Sequence, residues 1–174
     1  TAGGVTGGDR IEIAAEAQAG ATLTLTTQAA GRAYRAQLYE TAKITTNLVV
    51  HPAARINWLP QELILFDNSA LNRRLTIDLA VDAALLMVEP MVFGRAAMGE
   101  TLGKIAFEDR IRISRDGQPL YIDGMSLSGD ATAHLRRPAI ASGAGAMASL
   151  VYAAPDAGAH LDQVRALLPD TAGA

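Results

Sequence analysis

The sequence predicts an all-β fold of stacked, helicoidal or sandwich-like β-layers carrying one or two peripheral helices. Three observations predict it. Segments whose apolar residues alternate with a period of two recur along much of the chain, which is the mark of half-buried strands. Asp116-Gly117 separates two such segments, Ile105–Ser114 and Leu120–Ile122, and is the strongest hairpin signal in the sequence. One eight-residue unit also recurs. Ala21–Gln28 (ATLTLTTQ) can be laid over Ala54–Gln61 (ARINWLPQ) and Ala84–Met91 (ALLMVEPM), with small residues before each and starts 33 and 30 residues apart. That interval suits layers that bury their large residues against the next layer. A sandwich of evenly spaced hairpins gives a similar pattern.

In chain order, Thr1–Gly8 holds four glycines and reads as a structural turn closing on Asp9. No helix start follows the glycines, so they do not form a phosphate cradle. Asp9–Ala17 places Ile11, Ile13, Ala15 and Ala17 on one face of a strand. Ala19-Gly20 turns the chain into Ala21–Thr27, so an antiparallel pair is expected. Ile44–Val50, Leu63–Phe66 and Leu75–Val81 are further strands. Trp58-Leu59-Pro60-Gln61-Glu62 interrupts this series, because a proline has no N–H to give to a ladder and implies an edge, a bulge or a corner. The strand is expected to turn or change sheets there, with Pro90 at the equivalent place in the third copy.

Asp67-Asn68-Ser69 is an Asx-type turn. Phe93–Glu100 is a glycine-bracketed loop or short helix whose Arg95 and Glu100 can pair. Ile105, Phe107, Asp109, Ile111 and Ile113 share one phase of the next strand, with Glu108, Arg110 and Arg112 on the other. Past Gly129-Asp130 the pattern weakens to a short strand at Ser149–Tyr152. A helix follows over Ala159–Leu168, with Leu161, Val164 and Leu168 at helical spacing, Asp156 as upstream cap and Pro169 as stop.

Composition excludes several functions. The 174 residues suit a single domain, 1–174. A net charge of −3, with the basic residues well mixed among the acidic ones, gives no stripe for nucleic acid. The longest apolar run, Ala83–Val88, is far short of the roughly 18 to 20 residues of a membrane helix, so no membrane is expected as a partner. Zero cysteines remove disulfides and thiolate sites and suit a reducing, cytoplasmic compartment. The start has no secretory signal and no methionine, and the chain reads as a piece of a longer one.

His51, His134 and His160 are scattered and form no ligand pair, so a structural zinc is not expected. Oxygen ligands for a harder cation could come from Asp9, Glu62, Asp67, Glu89 and Glu100. There is no G-x-S-x-G elbow. Glu62 and Glu89 facing across a cleft would suit a carboxylate-based carbohydrate-active enzyme or binding module, but the chain is poor in the aromatics that stack on sugars.

The succession Gly3-Gly4-Val5-Thr6-Gly7-Gly8-Asp9, Thr26-Thr27-Gln28-Ala29 with Arg32-Ala33-Tyr34-Arg35, Trp58-Leu59-Pro60-Gln61-Glu62 with Ile64 and Phe66, and Glu89 with Phe93-Gly94-Arg95 and Met98-Gly99-Glu100 resembles the urease accessory protein family UreD, also called UreH. The likeness covers about Gly3–Gly129. Arg32 stands where a lysine is more usual, Leu63 where threonine is common, and Asp123-Gly124 replaces an Asp-Arg. The resemblance implies a β-rich helicoidal scaffold, not an enzyme, that binds urease subunits on one side and a complex of UreF and the GTPase UreG on the other. It also implies a role in nickel insertion, with no tightly bound cofactor and nickel in transit through a water-filled passage. Self-association is left open. For nickel in transit, weak carboxylate and water ligands suit better than clustered His or Cys. Asp9, Gln61, Glu62, Glu89, Arg95 and Glu100 are therefore the candidates for a polar path, or for locking the corners of the scaffold.

Overall fold

The computed structural model describes residues 3–168; Pro169, the expected helix stop, lies outside them. Eleven strands and two α-helices follow in the order β1 (Arg10–Ala17), β2 (Thr22–Leu25), β3 (Gly31–Ala33), β4 (Ala42–Val50), β5 (Arg55–Trp58), β6 (Leu63–Leu65), β7 (Ala70–Leu79), β8 (Ala84–Phe93), β9 (Ile105–Arg115), β10 (Gln118–Gly129), α1 (Ala131–Leu135), β11 (Ala146–Ala153) and α2 (Ala157–Leu167). The chain winds back and forth between two sheets. One is ordered β1-β4-β7-β9-β10, and the other stacks β2 and β3, then β5 and β6, against β8, with β11 beyond. The pairings between these strands are parallel except the β9–β10 hairpin and β11 on β8.

The layers expected from the repeat are present, with two corrections. Ala19-Gly20 does not make a hairpin. It carries the chain from one sheet to the other, so β1 pairs in parallel with β4 and β2 with β5. The turn is held by the layer above, with Gly20 N–H donating to Pro52 O at 3.0 Å and Gly20 at φ 72°. The third copy is also shifted by one residue. Ile56 lies beside Leu85 and Trp58 beside Met87, a step of 29, so Pro60 comes level with Glu89 rather than with Pro90. The reason is burial: Leu85 and Met87 are fully buried, and a slip of one residue would turn both outward.

Pro60 does not send the chain to the other sheet. β5 and β6 both pair with β8, and Leu59–Glu62 is a bulge between them. The interruption narrows layer by layer. It takes Thr26–Ala30 between β2 and β3, Leu59–Glu62 between β5 and β6, and Val88–Pro90 within the unbroken β8. Parallel layers are thus in register at both ends and gapped in the middle. Pro90 falls where the β5/β6 layer offers no strand to pair with.

The hairpin at Asp116-Gly117 forms as expected, both residues having positive φ, 49° and 74°. Between β8 and β9, Ala96–Met98 is one 3-10 turn. Glu100 closes that connection: its carboxylate accepts from Arg95 N–H, Nε and Nη2 at 2.9–3.0 Å and from Asp67 N–H at 3.2 Å, while Arg95 lies over the Phe66 ring at 4.3 Å. Hydrogen bonding from Arg95 outweighs burial and holds the Glu100 pKa at about 2. Helix α1 is an addition to the sequence reading, capped by Asp130, whose side chain accepts from Ala133 N–H at 2.8 Å. Asp156 is the N-cap residue of α2 as expected, but its carboxylate makes no cap bond to the helix backbone; it accepts from Tyr152 Oη at 2.8 Å and lies 3.3 Å from His160 Nε2.

Between the sheets lie two apolar clusters. One gathers Leu48, Val50, Ile56, Trp58, Ile77, Leu85, Met87 and Ile113, and the other Val5, Leu63, Leu65, Leu71, Met91, Leu102, Ile105 and Phe107. Ile77 is fully buried at the centre of the first. Ile77→Ala should cost about 2–5 kcal/mol, read as a lowered denaturant midpoint. For Glu100 the folded pKa lies below the ordinary 4.5, so its contribution is complete above that value and lost as pH falls toward about 2. Stability measured from pH 5 to pH 2 should accordingly fall less steeply in Glu100→Gln than in the parent protein.

Candidate functional site

Inward positions of the strands are apolar along most of their length, and charge replaces them at one level. In β7 the inward series runs Leu71, Arg73, Leu75, Ile77; in β9 it runs Phe107, Asp109, Ile111; in β8, Met87, Glu89, Met91. Arg73 and Asp109 are register neighbours in one sheet, and Glu89 faces them from the other. The guanidinium donates from Nε to Asp109 Oδ1 at 2.9 Å and from Nη2 to Asp109 Oδ2, making a two-bond fork. Its Nη1 donates to Glu89 Oε2 at 2.5 Å. The indole Nε1 of Trp58, in the layer beside β8, donates to the other oxygen of Glu89.

These side chains are nearly sealed: 13% of the Arg73 side chain is exposed, 5% of Glu89 and 8% of Asp109. Burial works against the charge on Arg73, but the hydrogen bonds and charges of Asp109 and Glu89 outweigh it and raise its pKa above the ordinary arginine value. One cation and two carboxylates leave the layer with a formal charge of −1.

A cavity adjoins the cluster on each side. The larger, about 560 Å³, opens under the interruption in the β2/β3 and β5/β6 layers and is lined by Thr27, Gln28, Gln61, Thr46, Trp58 and the Gly3-Gly4 loop, among others. The smaller, about 90 Å³, lies toward β10 and β11 and is lined by Asp109, Asp123, Gly124, Met125, Met147 and Ser149, among others. Arg73 and Glu89 line both. Each is roomier than the ~10–15 Å³ that one water needs. At the mouth of the larger cavity Gly4 is packed so tightly that a Cβ there would lie 2.7 Å from Arg32 O.

Of the residues selected from sequence, Glu89 lies at the centre of this layer and Gln61 at the rim of the larger cavity, its N–H donating to Thr27 Oγ1 at 3.0 Å. Asp9, Glu62, Arg95 and Glu100 line neither cavity. Asp9 closes the glycine loop, accepting from Thr6 N–H at 2.8 Å. Arg95 and Glu100 bind each other at the β8–β9 turn. Glu62 sits in the bulge, where its backbone oxygen accepts from Gly31 N–H at 2.8 Å. Glu62 and Glu89 therefore do not face each other across either cavity, the arrangement that glycoside chemistry needs.

Sequence reasoning missed Arg73, Asp123 and the role of Asp109. The signal for Asp109 was its place among Ile105, Phe107, Ile111 and Ile113, and for Arg73 its place between Leu71 and Leu75. Among the described residues no group of three or more His, Cys, Asp or Glu is arranged to hold a metal ion. No described helix is long and apolar enough to cross a membrane.

The chain matches the model of the UreD urease accessory protein family over residues 1–174. The urease accessory protein UreD of Ruegeria pomeroyi is 55% identical over 174 residues, covering 100% of this chain and 68% of that protein. The proteins of the same name from Roseobacter denitrificans and Rhizobium leguminosarum bv. viciae are 53% and 44% identical, each over 99% of this chain and 63% of its relative. The chain thus spans 63–68% of the length of these relatives. With the full length of the chain matched and identities of this size, it belongs to the UreD family of urease accessory proteins.

Proposed function

We propose that this protein serves urease maturation in the cytoplasm as a non-catalytic scaffold, binding apo-urease and a UreF/UreG complex, and that nickel crosses it between the two sheets. The observation that carries the conduit is the pair of cavities meeting at Arg73 and Glu89, which together reach from the gapped β2/β3 side to β10 and β11. The chemistry of the lining supports it. Glu89, Asp109 and Asp123 are oxygen ligands suited to a divalent ion that must be released again, and the chain has no cysteine to trap it. Gln61 and Thr27 supply neutral polar groups at the wide mouth. In this reading Asp9, Arg95 and Glu100 serve the path indirectly, by fixing the turns that hold the layers in register.

Ser149 lies opposite Glu89 in the β8–β11 pairing and lines the smaller cavity. Ser149→Phe in the full-length protein should plug that cavity without touching the outer surfaces. Urease should still co-purify with it while the nickel content of urease, measured by elemental analysis after a fixed activation time, falls about tenfold or more, a change equivalent to ~1.4 kcal/mol on the crossing barrier. A recruitment platform with no passage predicts unchanged nickel. Loss of co-purification together with nickel would locate the effect in assembly instead.

A further inference from the structure

The three charged groups at the cluster are not bound equally. Arg73 and Asp109 are neighbours in one ladder and share a two-bond fork, whereas a single bond at 2.5 Å joins Arg73 to Glu89 across the gap between sheets. Glu89 has a second partner in its own sheet, the Trp58 indole. The cluster therefore consists of two halves, a neutral Arg73–Asp109 pair and a Trp58–Glu89 pair carrying one negative charge, joined by one bond. Breaking that bond leaves every group with a partner. Arg73 and Glu89 are also the residues common to both cavity linings, so this bond is where the two cavities are separated.

We propose that Arg73 is the gate of the passage: its guanidinium closes the space between the cavities, and a divalent cation crosses by taking the guanidinium's place on Glu89 while Arg73 stays docked on Asp109. The proposal rests on the conduit reading above. No bond to carbon is made or broken; one cationic partner of Glu89 is exchanged for another. The long side chain of Arg73 can swing about its fixed end, and the net negative charge of the layer favours cations and opposes anions.

Trp58, the one tryptophan of this sequence, reports on the exchange directly because its indole donates to the carboxylate that changes partner. The test is a nickel chloride titration of the full-length protein, with any tryptophan outside these 174 residues replaced by phenylalanine, followed by Trp58 fluorescence. Saturable quenching is expected. Arg73→Lys keeps the charge without the fork, and Glu89→Asp holds its carboxylate one methylene further from Arg73. Each loosens the cross-sheet bond from one side and should move the quenching midpoint to severalfold lower nickel. Glu89→Gln keeps an acceptor for the indole but removes the charge, and should abolish the saturable component; circular dichroism identifies the variants that retain the fold. Unchanged midpoints in whichever of Arg73→Lys and Glu89→Asp folds, or no saturable quenching of the parent protein, overturn the gate. Normal nickel delivery by Ser149→Phe overturns the conduit itself, so the two failures are distinct.

Discussion

Two carboxylates buried on facing sheets, Glu89 and Asp109, need a cation between them in an apolar interior, and Arg73 supplies it. Much of the interior follows from that constraint. Hydrocarbon cannot fill the level of the charges, so the core divides into an apolar cluster on each side of it. The division has an energetic consequence. A buried ion pair contributes little net stability against a hydrophobic equivalent, yet loss of one partner typically costs about 3–5 kcal/mol because a bare charge is left behind. The layer thus stabilises the fold weakly and specifies it strongly: whatever slides one sheet against the other separates Arg73 from Glu89.

The stacking of parallel layers decides where this level falls. Successive passes through a sheet place like positions above one another, so β5 lies on β8 with Trp58 beside Met87 and its indole within reach of Glu89. The interruption seen at Thr26–Ala30, Leu59–Glu62 and Val88–Pro90 shortens by one residue per layer, and each shortening keeps the strands in register on both sides. A gap of this shape is widest at the first layer and closed at the third. That is why the larger cavity opens on the β2/β3 side and ends at Glu89. Pro60 lies in the gap and Pro90 beside it, where a missing N–H forfeits no ladder bond to the neighbouring layer.

The alternation that predicted β-layers was legible because inward and outward positions differ in chemistry, and the inward phase of β9 was read correctly with Asp109 in it. That phase carries a further requirement: a carboxylate among Ile105, Phe107, Ile111 and Ile113 needs a buried partner, and Arg73 among Leu71, Leu75 and Ile77 poses the same requirement with opposite sign. Strand direction was less legible. Neighbouring strands joined by a short glycine turn most often pair with each other; here β1 pairs with β4 and β2 with β5, and the turn between them is bonded to Pro52, thirty-two residues on from Gly20. The register of the third copy was ambiguous for a local reason. Ala83-Ala84-Leu85-Leu86 repeats each residue type, so two superpositions one residue apart look alike until burial separates them. Asp9 and Glu100 stand beside Glu89 as candidates, with Arg95 to orient one of them, because a carboxylate that ties a turn and one that lines an interior are the same residue in a sequence; their partners alone tell them apart.

The proposed passage, closed by an ion pair, would suit a protein that handed an ion on without keeping it. A permanently open water channel between the sheets would expose both clusters to solvent, and a cluster of strong ligands would hold the ion it was meant to pass. On the proposed gate, an arginine shared between two carboxylates would avoid both outcomes, since each carboxylate keeps a guanidinium partner while no ion is present and an arriving ion would meet a ligand already oriented by an indole. Because the halves of the cluster belong to different sheets and one bond joins them, a change in the spacing of the sheets acts on that bond before it acts on the fork within the ladder. On the proposed gate, a partner that gripped the outer face of either sheet would have, in that bond, a lever on the closure inside.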